Sequence, residues 1–85
     1  MKDSLLHIID VIPEGYSTVL FENRKYGLTK TTFTNGKSYK IYAEELQGTN
    51  FISLNYYLTS TSELLKPCEM PAEKVTRFLR EMKAP

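Results

Sequence analysis

Thr34-Asn35-Gly36-Lys37 constrains this chain more than any other stretch. Asn and Gly tolerate the positive φ angles of a type I′ turn, whose twist suits two antiparallel strands. A second turn signal follows at Gln47-Gly48-Thr49-Asn50, and a third, Asn23-Arg24, precedes both. Between them the hydropathy period is two, so residues 16–22, 25–33, 38–46 and 51–58 read as four strands of a meander. A two-residue Asn35-Gly36 loop pairs Thr32 with Tyr39 and Leu28 with Ala43. A two-residue Gly48-Thr49 loop would pair Ala43 with Leu54 and Ile41 with Tyr56. Alternation then puts Tyr26, Leu28, Tyr39, Ile41, Ala43, Ile52, Leu54, Tyr56 and Leu58 on one face. The other face carries Thr29, Thr31, Phe33, Ser38, Lys40, Tyr42, Glu44, Phe51, Ser53, Asn55 and Tyr57. Lys30 and Glu45 fall on the apolar side, where the expectation is a marginal position with the charged head in solvent.

The apolar face needs a cover. Leu5, Ile8, Ile9 and Ile12 follow helical spacing, so residues 4–12 predict a short helix, capped by Asp3 or Ser4 and stopped by Pro13-Glu14-Gly15. The rival reading is a strand, since the segment is rich in β-branched residues. Residues 59–65 read as a polar turn with a short return, and 66–71 as a rigid Pro-Cys linker. Pro71 at a first helical position opens a helix over 71–83, with Val75, Phe78, Leu79 and Met82 along one side. The expected fold is α+β: a four-stranded antiparallel meander, a short N-terminal helix, and a C-terminal amphipathic helix packed on one face. Eighty-five residues, 41% hydrophobic and 25% charged, fit one domain over 1–85.

Composition narrows the function. A net charge of +1 argues against a strongly basic nucleic-acid binder, but leaves room for a local patch. One cysteine, Cys68, makes an internal disulfide impossible and favours a reducing cytoplasm. The N-terminus lacks the apolar run of a signal peptide, and no stretch reaches membrane-spanning length. His7 is the single histidine, so neither a zinc cluster nor a Ser-His-Asp constellation can be assembled. Glu44 and Glu45 are adjacent in a strand and point to opposite faces, which rules them out as a paired acid and base. The glycines are isolated, so no phosphate loop exists. No cofactor is expected.

Two candidate sites remain. On the polar face, the rows Thr31-Lys40-Tyr57 and Thr29-Tyr42-Asn55 place rings beside polar groups and an amine, with Arg24, Lys25 and Lys37 in the turns. Bases stack on aromatic rings, and Lys or Arg meets phosphate, so this face suits single-stranded nucleic acid. The same residues are also good strand formers on a solvated sheet, or could form a homodimer contact. The second candidate is Cys68, whose thiolate Lys66 and a following helix N-terminus would favour and Glu69 oppose. A thiol filling space between linker and core is the alternative.

Two resemblances bear on these sites. Lys25-Tyr26-Gly27-Leu28-Thr29-Lys30, Tyr42-Ala43-Glu44-Glu45-Leu46, Asn50-Phe51-Ile52-Ser53-Leu54-Asn55-Tyr56-Tyr57 and Leu65-Lys66-Pro67-Cys68-Glu69-Met70-Pro71 resemble a family of short bacterial proteins. Members of that family often carry the name peptide methionine sulfoxide reductase, and the similarity spans roughly residues 15–82. That resemblance implies Cys68 as a nucleophile toward a sulfoxide sulfur, Glu69 as the nearest acid, and an external thiol to resolve the sulfenic acid. Four strands followed by a helix are also similar to coactivator-type single-stranded DNA-binding regulators. That likeness implies nucleic acid on the sheet and a dimer through the helix.

Overall fold

The computed structural model describes residues 5–84. Its elements are α1 (Leu5–Val11), β1 (Gly15–Phe21), β2 (Arg24–Phe33), β3 (Ser38–Glu45), β4 (Phe51–Leu58), β5 (Glu63–Pro67) and α2 (Ala72–Glu81), with a short helical turn at Thr34–Gly36. The architecture is α+β, with one antiparallel sheet in the order β1-β2-β3-β4-β5. It has five strands rather than four. The extra one arises because Thr59 closes a tight turn: its N–H donates to the Ser62 carbonyl at 2.9 Å and its Oγ1 accepts the Ser62 N–H at 2.9 Å. The return segment is thereby laid against β4, taking Lys66 and Pro67 out of the expected linker. Pro67 lacks an N–H and is tolerated because β5 is an edge.

Each hairpin is set by its turn. Asn35 (φ 55°, ψ 39°) and Gly36 (φ 87°) take the left-handed positions, and Lys37 N–H closes on the Thr34 carbonyl at 3.1 Å. Thr32 faces Tyr39 and Leu28 faces Ala43, as the turn chemistry requires. The first turn sits one residue earlier than expected: Glu22 and Asn23 have φ 55° and 64°, and Phe21 pairs with Arg24. Between β3 and β4 the register differs by two residues, with Ala43 opposite Ile52 and Ile41 opposite Leu54. Here the loop is longer than two residues. Glu45 N–H donates to the Asn50 carbonyl at 2.9 Å, and the Asn50 amide donates to the Tyr26 hydroxyl at 2.8 Å. A slip of two leaves every side chain on its expected face.

Tyr26, Leu28, Tyr39, Ile41, Ala43, Ile52, Leu54 and Tyr56 are therefore buried, and Leu58 packs partly against them. Ile9 and Ile12 from the α1 end and Val75, Phe78 and Leu79 from α2 close over this face. Phe78 meets Phe21 and Tyr26 with ring centroids 5.1 Å and 5.3 Å away, an aromatic knot tying α2 to β1 and β2. Two of the buried tyrosines have hydrogen-bonded hydroxyls: Tyr56 donates to the Glu63 carboxylate, and Tyr26 accepts from Asn50.

Three expectations about the ends and margins are corrected. Lys30 does not reach solvent; it is 6% exposed, and its ammonium donates to the carbonyls of Ile9 and Ile12, both at 2.8 Å. Carbonyls at a helix C-terminus have no partner within the helix, so a cation there is doubly favoured. Glu45 also turns inward, accepting from Arg24 at 2.8 Å and from Asn50 N–H at 3.3 Å. Pro71 is the N-cap residue with extended backbone (φ −65°, ψ 147°), and the helix begins at Ala72. The expected Asp3 or Ser4 cap lies outside the described residues.

Candidate nucleic-acid interface

Because both helices lie against the apolar face, the opposite face of the sheet is left open, save where the Lys74 ammonium of α2 reaches the Phe51 ring, 5.8 Å from its centroid. Strand register orders its side chains into rows that run across the strands. One row is Phe33, Ser38, Tyr57 and Leu64. The next is Thr31, Lys40, Asn55 and Lys66. Then come Tyr16, Thr29, Tyr42 and Ser53, and after them Thr18, Gly27, Glu44 and Phe51. Leu20 and Lys25 end the face. Tyr16, Phe33, Tyr42, Phe51, Tyr57 and Leu64 are all exposed large apolar side chains, and all six stand here. Such a gathering is unusual on a surface with no partner.

Three of the rings meet neighbours on the face. Tyr42 and Phe51 lie 6.2 Å apart, centroid to centroid, at 31°. The Tyr42 hydroxyl reaches Glu44 at 3.5 Å. Tyr16 crosses from β1 over Gly27, where a Cβ would run into its ring and hydroxyl. Glycine is needed there so that the ring can lie flat on the sheet.

Lys40, Tyr42, Thr29 and Tyr57 are exposed on this face, and Thr31 and Asn55 are half-buried within it. The expected rows change with the register. Tyr57 stands opposite Ser38, and Asn55 opposite Lys40, so Lys40 is flanked by Thr31 and Asn55 rather than by Tyr57. Lys37 is exposed in the turn beside Ser38. Arg24 stands apart from these residues: its guanidinium is paired with Glu45 at 2.8 Å, on the register of the other face. Lys40 and Lys66 are exposed, and among the described residues neither has an ion-pair partner.

Sequence reasoning missed Tyr16, Leu64 and the cross-strand position of Lys66. Tyr16 could have been found by extending the alternation into the first strand. Leu64 and Lys66 needed the Thr59–Ser62 turn to be read as a hairpin.

Cys68 follows β5 at the margin of the same face. Its N–H donates to the Ser53 carbonyl at 2.9 Å, and its half-buried sulfur accepts from the Asn55 amide at 3.6 Å. Glu69 is exposed in a left-handed conformation (φ 62°). Among the described residues no three His, Cys, Asp or Glu side chains group as a metal site, and no helix is long and apolar enough to cross a membrane.

No protein-family model, curated protein or solved structure matches this chain.

Proposed function

We propose that this chain binds single-stranded nucleic acid on the open face of its sheet. What supports the reading is the coincidence, on one open surface, of exposed rings (Tyr16, Phe33, Tyr42, Phe51, Tyr57) with ammonium groups at Lys40 and Lys66. Every base has a π-face, so stacking tolerates any sequence, while the amines meet phosphate. A duplex hides its base faces in the stack and could not use the rings. The near-neutral net charge of +1 fits a ligand held by stacking and a small number of phosphate contacts rather than by a broad basic field.

Fluorescence anisotropy with a labelled oligothymidylate tests this. Binding weakens as salt rises, and Tyr57→Ala, which removes one stacking platform, costs about 1–3 kcal/mol. Absent or salt-indifferent binding would remove the proposal. A sedimentation run on the same sample separates the competing use of the face, since self-association through it would leave no monomer to bind.

A further inference from the structure

Two courses are open to a nucleic-acid strand on this face. It can run lengthwise, along β2 to β4 from the Phe33–Tyr57 end toward Lys25, or crosswise, over the row of Thr31, Lys40, Asn55 and Lys66. Resting on the function proposed above, we infer that the strand crosses β2 to β5. Its phosphates sit on Lys40 and Lys66, and its bases turn outward to both flanks, onto Phe33 and Tyr57 on one side and Tyr16 and Tyr42 on the other.

Charge decides against the lengthwise course. Along β3 the face reads Lys40, Tyr42, Glu44, so a lengthwise backbone would be carried from an amine onto a carboxylate. The crosswise row holds no acid: its members are a hydroxyl, an amine, an amide and a second amine. Lys25, the other cation of the face on a strand, stands three rows away, roughly 20 Å at about 3.4 Å per residue.

Ring placement agrees. The crosswise row contains no aromatic residue, while both adjoining rows do, so a backbone laid in it has a stacking platform to either side. Cation and rings are then spent on different parts of each nucleotide.

Dimensions set the ligand. From β2 to β5 is three strand spacings, about 14 Å, and Lys40 and Lys66 are two spacings, about 10 Å, apart. At the ~3.4 Å rise of a stacked strand this width takes at most about four nucleotides, and fewer when the bases are splayed. The ligand class is a short, unpaired, sequence-tolerant segment.

Salt-dependent anisotropy with an eight-nucleotide oligothymidylate tests the course. The variants are Lys40→Met, Lys66→Met and Lys25→Met, which keep the aliphatic stem and drop the charge. All three positions are exposed, and a melting curve checks each fold. Each phosphate contact on a single strand contributes about 0.7 to the slope of log affinity against log salt. The slope is expected to shrink by about that much for Lys40→Met and for Lys66→Met, and to stay unchanged for Lys25→Met. A loss at Lys25→Met that equals or exceeds the loss at Lys66→Met overturns the crosswise course while leaving nucleic-acid binding in place. No binding by the unmodified chain overturns both.

Discussion

Lys30→Met isolates the contact that fastens α1. The ammonium donates to the Ile9 and Ile12 carbonyls at 2.8 Å each and stands 5.2 Å from the centroid of the Tyr39 ring. Methionine fills nearly the same volume, so the loss is of hydrogen bonds rather than of packing. Two charge-assisted bonds are worth about 3–6 kcal/mol together. Part of that is retained in the variant, because the Ile9 carbonyl still accepts from Ile12 N–H at 3.2 Å, so that among the described residues the Ile12 carbonyl is the one that loses its partner. The relief of a buried charge offsets a further share. The net expectation is a loss of about 2–4 kcal/mol. Against a total of about 4–13 kcal/mol for 85 residues, that is a large fraction. Urea unfolding followed by circular dichroism measures it, and the melting midpoint is expected to fall by roughly 10 °C or more. Because α1 has seven residues and cannot persist undocked, hydrogen exchange at its amides is expected to accelerate beyond the global change. A loss under about 0.5 kcal/mol, the usual size for a surface lysine, would refute the claim that this amine anchors the helix.

Three further outcomes follow from other contacts. Glu14 accepts from Thr32 N–H at 3.0 Å and from the Thr32 hydroxyl, and those hydrogen bonds hold its carboxyl below the usual glutamate range. Its contribution is therefore present above the ordinary glutamate pKa of about 4.3 and lost as pH falls through the lower folded value. The stability gap between the unmodified chain and Glu14→Gln should close on acidification in that window; a gap constant with pH would contradict the assignment. Arg24→Ala is expected to cost about 1 kcal/mol in urea unfolding, because the guanidinium is largely exposed although the Glu45 carboxylate that it pairs with turns inward, and to leave oligonucleotide binding untouched. A tenfold loss of affinity would put Arg24 back in the site. The Ser17 hydroxyl is buried with no hydrogen-bond partner among the described residues, so Ser17→Ala is expected to be neutral or to raise stability by up to about 1 kcal/mol in the same assay. A drop of that size would mean the hydroxyl is satisfied.

Much of the fold was legible because side-chain parity is robust. The Gln47–Asn50 turn misled the register by two residues, yet Ile41, Ala43, Ile52 and Leu54 still turned inward, since a slip of two restores the alternation. What failed was set by single polar contacts. The fifth strand depended on the Thr59 side chain closing a turn among Thr and Ser residues that carry no positive-φ signature. The fate of Lys30 depended on where the last carbonyls of α1 would point, which periodicity does not encode. On the open face, the aromatic character of β3 and β4 was readable from alternation, whereas the pairing of Arg24 with Glu45 on the other face and the place of Lys66 beside Asn55 were not. The residues of β2, β3 and β4 stand on the face that alternation assigned them, and the neighbours across β3 and β4 differ.

The central claim, that the open sheet face receives a single strand, is tested most directly by carbon-edited NMR of the aromatic side chains during titration with oligothymidylate at low salt. The ring signals of Phe33, Tyr42 and Tyr57 should move on binding, while those of the buried Phe21, Tyr26 and Phe78 stay in place. Ring signals that remain fixed at saturating oligonucleotide, or shifts confined to the buried set, would contradict it.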